Sequence, residues 1–295
     1  MNAYLTVFAM TAKGHAVLSA LLRDFPGLVA TVVVGRDLAL DDDCAERIIA
    51  LCAEHGVSVS RHGDRLPIST PYALAVSWRW LIDPGTARLI VMHDSLLPRY
   101  RGFNPLVTAL IEGDDRIGVT ALHASADYDR GDIIAQASSP AIYPLRIGAA
   151  IEQVCRHYEE LATQLGHWLS RGEVPPARAQ DEAAASYSLW RDEEDYLLDW
   201  SLDAARLRRT VDALGHPYHG AATWLDGKLV RVHEATERED VVIANRAPGK
   251  VIFMEQGRPV VVCGRGLLRI EALADAASGN SLLPLQRFRL RFGAR

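Results

Sequence analysis

The stretch "ARLIVMHDSLLPRYRG", residues 87–102, decides how this chain is read. Its first half is an unbroken apolar run that ends at His93. Its second half supplies a carboxylate, a hydroxyl, a proline turn, two arginines and a glycine. An apolar run without polar alternation predicts a strand covered on both faces, the kind found in parallel sheets. His93 then stands at the C-terminal end of that strand. Ligands of open α/β sheets bind outside the carboxyl ends of the strands, so position alone makes His93 a candidate for chemistry.

The flanking sequence agrees with this reading. "YLTVFAM", "LVATVVVG", "VSVSR" and "YALAVSW" are further strand-like runs. "GHAVLSALLRDF" has apolar residues at helical spacing, and "DDDCAERIIALCAEHG" adds an acidic first turn and a terminal glycine. Strands alternating with helices predict an α/β fold with a doubly wound, mostly parallel sheet. Beyond the opening stretch, "IGVTALHA" (117–124) reads as another strand and "ADYDRGDII" as a loop and re-entry. Residues 147–173 form a long amphipathic helix with Gly166 as a weak point. "VPPARAQDEAAASYSLW" breaks regularity and reads as a linker. "SLDAARLRRTVDALGHP" restarts a helix, with Ser201 as cap and Gly215 and Pro217 ending it. The runs "GAATWL", "KLVRVHEA", "GKVIFME", "RPVVVCG" and "GLLRIEAL", separated by DG, QG and GRG turns, predict a small OB-like β-barrel. The expected organisation is an N-terminal domain over 1–174, a linker over 175–200 and a C-terminal barrel over 201–295.

Composition narrows the function classes. The chain has 295 residues, 49% hydrophobic and 23% charged, with a formal net charge of −5. These values fit a soluble globular protein without a global basic field for nucleic acid or anionic membranes. Charge is uneven, however: residues 1–202 carry a net −10 and residues 203–295 a net +5. The asymmetry suits two domains, and either an anionic partner for the second or an ordinary solvated surface. Cys44, Cys52, Cys155 and Cys263 form no CxxC pair and no zinc spacing, so buried thiols, a reducing cytoplasm and no metal are expected. No apolar run approaches the ~18 residues of a membrane span. The N-terminal "MNAYLTVFAM" lacks a positive leader and reads as a strand.

Asp129, in "DYDRGD", follows the strand at 117–124 and is the second candidate. A carboxylate beside an imidazole raises its pKa and fixes its tautomer, which makes a workable general acid/base pair. Each residue also has an ordinary reading, His93 as a packed histidine and Asp129 as a turn residue. Their spacing does not establish that the side chains meet. The "SLLP" turn, with two leucines, can line an apolar ligand slot.

Taken together, "HDSLLPRYRG", "GVT" at 118–120 and "DRGDII" at 129–134 resemble the folate-dependent formyltransferases. The segment "DEEDYLLDWSLDAARLRRTVDALGHPYHGAATWLDGKLVRVHEA" is similar to the C-terminal domain of the tRNA and sugar members. The resemblance implies a Rossmann-like catalytic domain and 10-formyltetrahydrofolate as co-substrate, without a metal. It implies that His93 manages the proton of an attacking amine and that Asp129 orients it. Ser95, Leu96, Leu97 and Pro98 would line the folate site, and Trp78, Trp80 and Tyr128 would surround the pterin. Arg99, Arg101 and Asn104 are the candidates for contacting the acceptor.

Position 91 departs from the pattern. The family has Asn-x-His, where the asparagine polarises the formyl carbonyl, and this chain has Val91-Met92-His93. Losing one oxyanion donor typically lowers the rate by about 10²–10³. Formyl transfer to a small-metabolite amine, either a nucleotide-linked amino sugar or an amino acid, is the leading expectation. The loop "RDLALDDDCAER" is acidic where the tRNA enzymes have a basic insertion, so methionyl-tRNA is the alternative acceptor. A folate-binding protein without turnover and a transferase with another one-carbon or acyl donor are the remaining readings. The sugar members also suggest a homodimer.

Overall fold

The computed structural model describes residues 4–38, 40, 42–64 and 67–293. Two compact units emerge. One comprises 1–106, 116–140 and 150–189, and the other 107–115, 141–149 and 190–295.

In the first unit, β1 (Leu5–Ala9), α1 (Thr11–Asp24), β2 (Val29–Val34), α2 (Ala45–Glu54), β3 (Ser58–Arg61), β4 (Tyr72–Val76) and β5 (Arg88–His93) follow the strand–helix alternation expected from the sequence. After β6 (Arg101–Gly102) and α3 (Pro105–Glu112), β7 (Arg116–His123) and β8 (Ile133–Pro140) complete a seven-stranded sheet, with order β3-β2-β1-β4-β5-β7-β8. The pairs from β3 to β5 are parallel, and β7 runs antiparallel to both of its neighbours. The sheet is therefore mixed, with a parallel majority. Continuous burial of all five β4 residues follows from cover on both faces.

Helix α4 (Ile147–Ser170) is unbroken. Gly166 is not a weak point in it: a Cβ there would fall 2.3 Å from the Phe25 ring, so the glycine makes room for that ring. The stretch read as linker contains β9 (Tyr187–Ser188), which pairs in parallel with β6.

In the second unit, α5 (Ala204–Ala213) is capped by Asp203, whose carboxylate accepts from Arg206 N at 2.7 Å. Ser201 does not cap this helix; its hydroxyl donates to Asp199 at 2.6 Å. Strands β10 (Ala221–Leu225), β11 (Lys228–Arg238), β12 (Val251–Glu255), β13 (Arg258–Val262) and β14 (Leu267–Asp275) form an antiparallel sheet, with order β10-β11-β14-β13-β12. Its two edges are both met by the C-terminal segment, through bridges from Phe292 to Leu225 and from Arg291 to Lys250. That segment supplies the backbone pairing that an open sheet edge lacks.

Candidate active site

The end of β5 carries Val91 and His93 on one face, because alternate residues of a strand share a side. Val91 packs against the buried cluster of Leu97, Leu122 and Ile133 and brings no hydrogen-bond donor. His93 is 8% exposed. Its Nε2 lies 2.8 Å from the Tyr100 carbonyl. A carbonyl only accepts, so Nε2 carries the proton and Nδ1 is the basic nitrogen of the neutral ring. Nδ1 faces Asp129 Oδ1 at 3.5 Å. That distance exceeds a normal hydrogen bond but suits attraction between a carboxylate and an imidazolium.

Asp129 is held from several sides. Its backbone is left-handed, with φ of 58°, a region that Asp tolerates better than most residues. Its Oδ2 accepts from Gly102 N at 2.8 Å, leaving Oδ1 for the histidine. Gly131 lets this loop close on β7, since a Cβ at that position would fall 1.7 Å from the His123 carbonyl oxygen. The structure thus brings together His93, at the end of β5, and Asp129, in the loop after β7; the two strands pair in the sheet.

The turn after His93 is fixed by fully buried Thr120. Its hydroxyl donates to the Ser95 carbonyl at 2.6 Å and accepts from Leu97 N at 3.1 Å. Gln136 then donates to the Leu97 carbonyl at 2.9 Å. The Ser95 hydroxyl turns inward to the Arg99 carbonyl, and Leu97 is buried. Half-buried Leu96 and Pro98 therefore carry what accessible surface the turn offers. Neither Thr120 nor Gln136 stands out in the sequence, because each acts on a turn distant along the chain.

The segment 178–188 is knitted onto the same loop. Tyr100 N donates to Ser186 Oγ at 3.0 Å, and Arg101 N and Phe103 N donate to the Ser186 and Ser188 carbonyls, both at 2.9 Å. Arg101 is 0% exposed, and its guanidinium is committed to Gln180 and Glu182. The expectation that Arg101 contacts an acceptor is therefore corrected: an internal fork on the protein's own side chains leaves it no face toward a ligand. Arg99 is exposed, with its guanidinium over the Tyr100 ring and on its hydroxyl at 2.8 Å. Asn104 is exposed in a left-handed conformation at the start of α3, with φ of 47°.

A buried charge network escaped the sequence reading. Asp94 accepts from Lys13 of α1 and, at 2.5 Å, from the Tyr158 hydroxyl of α4. Burial alone would raise the Asp94 pKa, but Lys13 and Tyr158 outweigh it and hold the carboxyl below the usual range. Burial first, and then Asp94, push the Tyr158 hydroxyl well above the usual tyrosine value. The residue next to His93 is thus clamped between two helices.

Trp78 packs edge-on against Phe8, with ring centroids 5.1 Å apart, and against Trp80 at 5.0 Å. Its indole Nε1 is buried without a partner among the described residues. Trp80 stacks on His62 at 3.8 Å beside a cavity of about 530 Å³, whose walls include Arg61, Arg79, Ile49 and Leu38. Tyr128 is 61% exposed, 6.1 Å from the Phe103 ring. No group of three or more His, Cys, Asp or Glu side chains among the described residues could hold a metal ion.

Comparison with known proteins follows the same lines. A family model described as formyl transferase matches residues 78–162, and one described as formyl transferase, C-terminal domain, matches residues 191–282. The methionyl-tRNA formyltransferase of Citrifermentans bemidjiense is 32% identical over 208 residues; the match covers 70% of this chain and 63% of that protein. The N-formyltransferase from Helicobacter canadensis, solved with folinic acid and dTDP-3-aminofucose, superposes with a TM-score of 0.71 at 13% identity, covering 91% of this chain and 98% of that one. HypX from Aquifex aeolicus, solved with tetrahydrofolic acid, gives a TM-score of 0.60 at 19% identity over 95% of this chain and 45% of its own. The two solved structures share the fold. With both parts of the family pattern present in order, His93 and Asp129 inside the first, this chain belongs to the formyl transferase family.

Proposed function

We propose that this chain transfers a formyl group from 10-formyltetrahydrofolate to the primary amine of a small metabolite. The observation that carries this reading is the His93–Asp129 pair at the carboxyl end of β5, with Nδ1 free to accept a proton. The amine nitrogen attacks the formyl carbon, and His93 Nδ1 takes one N–H proton. The imidazolium is stabilised by Asp129 Oδ1 and by the Tyr100 carbonyl. Collapse of the tetrahedral intermediate breaks the bond from carbon to the folate nitrogen, and the proton passes from Nδ1 to that leaving nitrogen. The formamide and tetrahydrofolate are the products.

Residues that follow β3 and β4 suit a folate donor. Trp78 offers an unmet buried donor, and the stacked His62 and Trp80 give a flat wall for a fused ring or an aminobenzoyl group. Arg61 and Arg79 beside the cavity suit the carboxylates at the far end of a folate. The 1–174 region would supply the chemistry, the 201–295 region the attached domain, and the cytoplasm the folate pool.

A small acceptor is favoured by the loop after β2, where Asp42, Asp43 and Glu46 engage Arg47 and Arg36 in ion pairs. These pairs leave little net positive charge to grip a phosphate backbone. Methionyl-tRNA is the second reading, favoured by the 32% identity with an enzyme of that name. Release of tetrahydrofolate from 10-formyltetrahydrofolate is the test, run with nucleotide-linked amino sugars, amino acids and methionyl-tRNA. Turnover on a small amine supports the first reading. Turnover on tRNA alone supports the second, and no turnover with any acceptor refutes both.

A further inference from the structure

Gln180 lies in the stretch that reads as a linker, yet both ends of its amide are bound at the candidate site. Its Oε1 accepts from Arg101 Nε at 3.1 Å and from Nη2 at 2.8 Å. Its Nε2 donates to the carbonyls of Asp129 and Gly131, at 2.8 Å and 2.7 Å. A guanidinium only donates and a carbonyl only accepts, so the amide has one allowed orientation. Glu182 holds Arg101 from the other side, with Nη1 and Nη2 at 2.9 Å and 2.8 Å, and also meets Arg130 at 3.1 Å. Gly102, directly after Arg101, donates its backbone N–H to the Asp129 carboxylate. Arg101 therefore reaches Asp129 twice: through its chain neighbour to the carboxylate, and through Gln180 to the backbone.

We propose that Gln180 is a positioning residue that sets the Asp129 carboxylate against His93 Nδ1, making segment 178–188 part of the active site rather than a tether. The inference rests on the formyl-transfer reading for its kinetic consequences only. Asp129 sits in a left-handed conformation, with φ of 58°. Two carbonyls captured by one amide hold that conformation, and a shift of about 1 Å in such a group lowers turnover by ~10²-fold.

Gln180→Leu keeps the shape and removes both sets of bonds. Gln153→Leu is the control: Gln153 bonds Ser139 and the Pro140 carbonyl, away from Asp129. Next to His93 in the chain lies a second polar network, made by Asp94, Lys13 of α1 and Tyr158 of α4. Neither variant touches these three. The expected result for Gln180→Leu is a fall in kcat of about 10–10²-fold, with donor KM little changed. Gln180→Asn is expected to recover part of the loss, and Gln153→Leu to leave kcat unchanged. NMR chemical shifts of the His93 ring and of the Gly102 amide, read at one pH, report a displaced Asp129 carboxylate without turnover, so they test the positioning role even if no acceptor is formylated. Unchanged His93 and Gly102 chemical shifts in Gln180→Leu, or a kcat no lower than that of Gln153→Leu, overturn the proposal.

Discussion

Replacing Asp129 by Asn removes one charge while keeping the shape of the side chain. In the present geometry Oδ2 accepts from Gly102 N and Oδ1 faces His93 Nδ1 at 3.5 Å. The asparagine will keep its oxygen toward Gly102, because that backbone group can only donate. Its amide then points at Nδ1 and donates to the lone pair on which proton transfer depends. Two unit charges 3.5 Å apart attract by ~5 kcal/mol at an effective dielectric of about 20. Both side chains keep some solvent contact, 9% and 13%, so about half of that figure is a fair expectation. A loss of ~2–3 kcal/mol corresponds to a fall in kcat of about 10²-fold. Tetrahydrofolate release under saturating donor and acceptor is the assay, with circular dichroism as the check that the fold is kept. An Asp129→Asn protein that retains more than a third of wild-type kcat would refute the pairing as a contributor to turnover.

Three further outcomes are expected. Val91→Asn returns an amide to the strand position where the family pattern has one. It should raise kcat at least tenfold if it reaches the oxyanion, while thermal unfolding shows a loss of ~1–3 kcal/mol for an amide set among Leu97, Leu122 and Ile133; an unchanged kcat would mean that another group already supplies the donor. Asp94 has its folded carboxyl below its unfolded range, so its contribution is complete above about pH 4 and is lost as pH falls through the folded value. Asp94→Asn should therefore be the less stable protein at neutral pH, with the gap closing on acidification, and parallel pH curves in acid unfolding would contradict this. Burial pushes the thiols of Cys52 and Cys155 up to about 11 and that of Cys263 to about 12; iodoacetamide at pH 8 should leave these three unlabelled in the native protein and label them after denaturation, with rapid native labelling as the contrary result.

Much of the fold was legible because its strands differ so clearly from its helices. The run ending at His93 and the alternation before it give the parallel part of the sheet directly, and the turn-separated runs after residue 220 give the antiparallel one. The antiparallel direction of β7 was not legible, since a buried strand reads the same either way. Asp203 and Ser201 are both good caps two residues apart, and only the backbone geometry decides for Asp203. At the candidate site, His93 and Asp129 are both legible from their places after strands, and the resemblance adds the roles proposed for them. Lys13, Thr120, Tyr158 and Gln180 were missed because each acts on a partner at least 25 residues away, through bonds that leave no local periodicity. Arg101 misled for a related reason. An arginine in a polar loop normally faces water, and nothing local reveals that Gln180 and Glu182, some 80 residues on, enclose it.

The central claim is that this fold binds a reduced folate beside His93. Calorimetric titration with 5-formyltetrahydrofolate, a stable relative of the proposed donor, tests it most directly. The account predicts saturable binding with one folate per chain, retained in His93→Ala because the ring handles protons rather than holding the donor. The absence of heat at high folate concentration, in a protein shown to be folded, would contradict it.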